Sequence, residues 1–92
     1  MATYAVMITY GDRAARDRVR PNHRAFLQTQ LDAGSLVSSG PFTDDSGALL
    51  VYEAESPEAL QAILDQDPFW KTDGVLATVS IKEWNILFQR AT

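Results

Sequence analysis

His23 is the only histidine among 92 residues, and the chain contains no cysteine. Proton transfer near neutral pH therefore falls most naturally on this one imidazole, because histidine is the side chain whose ordinary pKa lies close to physiological pH. It sits in Val19-Arg20-Pro21-Asn22-His23-Arg24-Ala25-Phe26-Leu27, three and four residues before Phe26 and Leu27, so on a helix the three share a face. An inward histidine of this kind serves either as an acid-base group or as a structural residue satisfied by a nearby acceptor. Arg13, Arg16, Arg18, Arg20 and Arg24 crowd the same stretch, either as an attractor for an anion or as a solvated face partly neutralised by Asp12 and Asp17.

The elements that must position His23 can be read from pattern. Thr3 to Tyr10 is a strand with two apolar faces, Tyr4, Val6, Ile8 and Tyr10 against Ala5, Met7 and Thr9. Gly11-Asp12 ends it, and the arginine-rich segment reads as loop or a short turn of helix. Pro21 is placed at the first helical position, where its missing N–H is harmless, and Gly34 provides the left-handed stop. Leu36 to Phe42 and Ala48 to Ala54 are expected to form a hairpin across the turn residues Asp44-Asp45-Ser46-Gly47. Ser56-Pro57 caps a second helix, carrying Leu60, Ile63 and Leu64 inward, which Asp67-Pro68 breaks. A last strand from Val75 to Trp84 follows the Asp73-Gly74 turn, and a short apolar tail spans Ile86 to Phe88.

Strand, helix, strand, strand, helix, strand is the ferredoxin-like βαββαβ plan, an α+β fold with an antiparallel sheet. Two helices cover one sheet face only. The apolar second face predicts a homodimer packed sheet to sheet, with the tail reaching the partner. One domain over residues 1–92 is expected, with no linker, repeat or low-complexity tract.

Hydrophobic residues make up 46% of the chain and charged ones 22%, and no apolar run is long enough to span a bilayer. The N-terminus lacks a signal-peptide pattern, and the absence of cysteine fits a reducing compartment, so a soluble cytoplasmic protein is expected. A net charge of −4 argues against a nucleic-acid partner.

Three segments carry a resemblance. Arg20-Pro21-x-His23-x-x-x-Leu27, then Gly34-x-Leu36-x-x-Ser39-Gly40-Pro41, then Asp65-x-Asp67-Pro68-Phe69 followed by Gly74-Val75 and Val79-Ser80-Ile81-Lys82, resemble the YCII-related (YciI-like) proteins in order and spacing across nearly the whole chain. The resemblance implies a ferredoxin-like fold, a dimeric α+β barrel and a histidine-aspartate dyad, which by position is His23 with Asp67. It implies little about the reaction, since members with an assigned activity resemble small-molecule lyases such as dehydrochlorinases and others have none. The glycine-rich insertion that some relatives carry between the second and third strands is missing here, which implies a shorter or more open pocket rim.

On that basis Asp67 would fix the tautomer of His23 and aim its other nitrogen at a ligand, suiting elimination or isomerisation of an acidic small molecule. The macrodipole near a helix start would disfavour the imidazolium that the carboxylate favours. Ser39 and the backbone of Gly40 could bind a substrate oxygen, with Pro41 stiffening the turn; strand termination is the plainer reading. Phe42, Phe69 and Trp70 could stack on an aromatic ligand or fill core and interface, and Arg20 could pair with an acidic substrate group. His23 with Asp67 and Asp65 makes a poor zinc set, and no phosphate loop, dinucleotide fingerprint or redox cofactor is indicated. The expected activity is that of a cofactor-independent lyase or isomerase. The rivals are a non-catalytic ligand-binding or regulatory module on the same fold, and a pure dimerisation scaffold whose pocket is filled by its own side chains.

Overall fold

A computed structural model of the chain describes residues 1–91, so the last residue of the expected domain span lies outside the described residues. Strand β1 (Ala2–Tyr10) leads into helix α1 (Arg13–Ala33), then β2 (Leu36–Pro41), β3 (Gly47–Ala54), helix α2 (Pro57–Leu64), a one-turn helix α3 (Pro68–Lys71) and β4 (Leu76–Glu83). The four strands form one sheet in the order β2-β3-β1-β4, every neighbouring pair antiparallel. This is the ferredoxin-like α+β arrangement expected from the sequence.

Alternation sets the sheet's two faces. Tyr4, Val6 and Ile8 pair with Tyr52, Leu50 and Ala48, and all six are buried in the core that α1, α2 and α3 cover. Ala5 and Met7 pair with Val51 and Leu49 on the opposite face, where Met7 is half exposed. Gly47 lies against β1 so closely that a Cβ there would fall 1.9 Å from the carbonyl oxygen of Ile8. At the end of α1, Gly34 adopts φ 91° and donates its N–H to the carbonyls of Gln30 and Leu31.

Two expectations are corrected. Helix α1 begins at Arg13, with the Asp12 side chain accepting from the Ala15 N–H, and Pro21 lies inside it. Arginine and alanine are good helix formers, and Ala15 and Arg16 turn inward, so capping and packing outweigh the ~3 kcal/mol that an internal proline costs. Pro21 is exposed, and the carbonyl it fails to serve belongs to Asp17, which water can reach. The second correction is that Asp67-Pro68 does more than end a helix. Helix α2 stops at Leu64, and Asp67 caps the separate turn α3, with Pro68 at its first position.

Candidate active site

His23 is the eleventh of the 21 residues of α1, reached by the i, i+4 row Ala15, Val19, His23, Leu27 that faces the sheet. Its mid-helix position places it beyond the first turn, where the macrodipole acts, so the expected influence of a helix start does not apply. The ring is buried, and its Nδ1 lies 2.7 Å from Oδ1 of Asp67. That length belongs to charge-assisted hydrogen bonds. With a carboxylate as acceptor, Nδ1 carries the proton and Nε2 keeps the lone pair in the neutral ring.

Asp67 is fully buried, and its Oδ1 also accepts the N–H of Phe69 at 2.9 Å. One short turn therefore controls the imidazole twice. While Asp67 holds the ring edge, the Phe69 ring stacks on its face with centroids 3.7 Å apart and planes 1° from parallel. Tyr10 meets Phe69 edge-on at 6.3 Å, and the Arg16 guanidinium lies 4.2 Å above the Tyr10 ring. Arg16 also reaches across to Asp45 in the β2–β3 turn at 3.0 Å, tying that turn to α1. Asp45 has φ 62°, a left-handed conformation that aspartate tolerates better than most residues.

Beside this bonded pair, Oδ2 of Asp67 and the Tyr52 hydroxyl are both buried with no hydrogen-bond partner among the described residues. Burial pushes the Tyr52 hydroxyl well above the usual tyrosine range, and the Asp67 carboxylate pushes it further.

His23 opens onto a cavity of about 510 Å³ between α1 and the β2 edge of the sheet, a size ordinary for small-molecule sites. Arg20, Ser39, Gly40, Pro41 and Phe69 line it together with His23. Ser39 and Pro41 pair with Leu50 and Ala48, which puts them on the helix side of the sheet and makes them part of the cavity wall. Asp67 stands behind His23, outside the lining. Phe42 and Trp70 are half-buried and do not line the cavity, and Asp65 is exposed and accepts a hydrogen bond from Gln61. No cluster of three or more metal-ligating side chains occurs among the described residues. Pattern reading named Arg24 only as one of five clustered arginines and missed Tyr10 and the Arg16–Asp45 bridge, since nothing local in the sequence marks contacts between residues 29 positions apart.

The family model for the YCII-related domain matches residues 2–85. The chain belongs to that family. Protein YciI of Escherichia coli O6:H1 is 39% identical over 80 residues, covering 76% of this chain and 81% of that protein, and Protein YciI of Shigella flexneri matches to the same extent. Among solved structures, 5-chloro-2-hydroxyhydroquinone dehydrochlorinase (TftG) from Burkholderia phenoliruptrix AC1100, in complex with 2,5-dihydroxybenzoquinone, superposes with a TM-score of 0.76 at 23% identity over 90% of this chain and 93% of that one. Rv0793 from Mycobacterium tuberculosis gives 0.62 at 13% identity, covering 99% of this chain and 100% of that one. A mutant of MhuD with two manganese protoporphyrin IX molecules bound per active site gives 0.56 at 12% identity, covering 98% and 99%. At these identities the structural likeness establishes the fold. No helix among the described residues is long and apolar enough to cross a membrane.

Proposed function

We infer that this protein is a cofactor-independent lyase or isomerase in which His23 is the general base and Asp67 its orienting partner, acting on a small aromatic or anionic molecule held in the cavity. The observation that carries this reading is the 2.7 Å bond that occupies Nδ1 and leaves Nε2 as the ring nitrogen available to a ligand. A substrate proton passes to Nε2, its former bonding pair forms the new double bond, and the leaving group departs with its own electron pair. Asp67 stabilises the imidazolium that results, and the stacked Phe69 ring holds the imidazole plane while the proton moves. In elimination the proton then leaves to solvent; in isomerisation no group departs, the electron pair shifts within the substrate, and His23 returns the proton to another of its atoms. Arg20, Ser39, Gly40, Pro41 and Phe69 form the binding wall.

The dehydrochlorinase among the structural neighbours lends this chemistry its first substrate to try. The working form in this reading is a homodimer through the open sheet face, where Met7 is 49% and Trp84 44% exposed, beside a tail in which Leu87 and Phe88 are largely bare. The absence of cysteine fits a reducing cytoplasm, where we place it.

The test is chloride release from 5-chloro-2-hydroxyhydroquinone, with turnover of related hydroxylated haloaromatics and lactones followed by absorbance. Wild-type turnover should fall by about 10²- to 10⁴-fold in His23→Asn, the usual contribution of a general base. Turnover that survives His23→Asn removes the base assignment. Binding across the panel without turnover supports the ligand-binding module instead.

A further inference from the structure

The cavity wall carries a charge that the chain as a whole does not. The protein bears a net −4, yet the charged side chains at the cavity are Arg20, Arg24 and Asp45. Asp45 is engaged by the buried guanidinium of Arg16 at 3.0 Å. Arg20 leans on Asp17 at 3.3 Å, a carboxylate it shares with Arg16 at 3.8 Å. Arg24 has no carboxylate within ion-pair distance and no side-chain hydrogen bond among the described residues. It is one helical turn beyond Arg20 on α1 and directly follows His23 in sequence. Two guanidinium groups therefore meet the cavity on the helix that carries the imidazole, and one of them is uncommitted.

We propose that Arg24 is the anion-recognition residue of this cavity, with Arg20 as its auxiliary, and that the ligand is a small planar acid whose carboxylate or ionised hydroxyl is held at Arg24. This deepens the proposed function and rests on the same site. The guanidinium presents a planar fork of donors matched to a carboxylate, so one fixed contact sets both the position and the tilt of the ligand plane. Such a contact at the α1 wall orients the ligand relative to Nε2 of His23, while the apolar wall of Leu27, Leu36 and Leu50 accepts the ring. The preference for an acid over its neutral isostere is then a property of Arg24, while proton transfer is a property of His23 and Asp67.

The experiment compares 4-hydroxybenzoate with 4-hydroxybenzamide, two molecules of nearly equal shape and different charge, by NMR titration of the full chain. Wild type should bind the acid at least about tenfold more tightly, in line with a charge-assisted contact at a partly exposed site. Raising the salt from about 0.01 M to about 1 M should shrink that preference, because the screening length falls from roughly 30 Å to roughly 3 Å. Arg24→Gln should bring the ratio close to one without lowering the melting temperature, since Arg24 is exposed and supports no other side chain. Arg20→Gln should retain most of the ratio. Equal wild-type affinities, or a ratio unchanged in Arg24→Gln, or one lost in Arg20→Gln and kept in Arg24→Gln, would overturn the assignment. Binding is read without turnover, so the two readings fail separately. Preference for the acid with no catalysis of any substrate defeats the enzyme reading alone; turnover with no preference for acids defeats the Arg24 assignment alone.

Discussion

Replacing Asp67 separates what the His23–Asp67 bond does for the fold from the part that the proposed function gives it in turnover. Asp67→Ala removes an acceptor that serves two buried donors, Nδ1 of His23 at 2.7 Å and the N–H of Phe69 at 2.9 Å. Loss of an N-cap costs about 1 kcal/mol, and loss of a charge-assisted hydrogen bond about 1.5–3 kcal/mol. Against this, the variant relieves a buried carboxylate oxygen, Oδ2, that has no partner, an unmet group of the kind that costs about 1–3 kcal/mol. The net expectation is a loss of about 1.3 kcal/mol. With an unfolding entropy near 2.1 cal/mol/K per residue, a chain of 92 residues would lose about 7 °C in melting temperature.

Asp67→Asn behaves differently. Its carbonyl keeps the cap on α3, and its amide takes the place of Oδ2 with a donor, so the stability loss should stay below about 1 kcal/mol. Under the proposed function, turnover should fall sharply in both variants. The assay is urea denaturation at fixed protein concentration, followed through tryptophan fluorescence, alongside turnover of any substrate found. A loss below about 0.5 kcal/mol in Asp67→Ala would refute the hydrogen-bond reasoning, as would equal losses in the two variants.

Three further predictions follow from the packing. Gly47→Ala drives a Cβ into the Ile8 carbonyl oxygen at 1.9 Å, and should cost about 3 kcal/mol or more by thermal denaturation, with little effect expected from Gly40→Ala, which meets open space. Asp45→Asn keeps a residue tolerant of φ 62° but removes the carboxylate facing buried Arg16, and should cost about 1–2 kcal/mol, less than Asp45→Leu, which also strains the turn. Tyr52 is held protonated by burial and by the charge of Asp67, so its folded pKa exceeds the unfolded value of 10.0. The stability tied to that difference is fully present below pH 10 and is lost as pH rises above it, at about 1.4 kcal/mol per pH unit for this one group. Tyr52→Phe should flatten that decline; an unchanged alkaline slope in urea titrations would contradict the assignment.

The sheet and the order of its elements were legible because strand alternation and turn residues are local signals. Asp44 to Gly47 announces the β2–β3 turn, and Ser56-Pro57 announces α2. The first helix was half legible. Pro21 marks a helix start by rule, but Asp12 caps the helix nine residues before it and the proline ends up on the solvent face, where its missing N–H is cheap. Helix α3 escaped notice because four residues are too few to show a period, although Asp67-Pro68 repeats the cap-proline start of Ser56-Pro57. Buried Arg16 was the hardest to foresee. An arginine among five in one short stretch reads as solvated, and only the folded chain brings Tyr10 under it and Asp45 beside it. His23 stood out as the one histidine, whereas Asp67 as its partner came from the family resemblance, since 44 residues separate the two.

The central claim is that Asp67 holds His23 with Nδ1 protonated and Nε2 free for a ligand. Nitrogen-15 chemical shifts of the His23 ring, recorded above the imidazole titration in wild type and in Asp67→Asn, test it most directly. The account predicts a pyrrole-like shift at Nδ1 and a pyridine-like shift at Nε2 in wild type, with this preference weakened in the variant. The opposite tautomer in wild type, or a preference indifferent to Asp67, would contradict it.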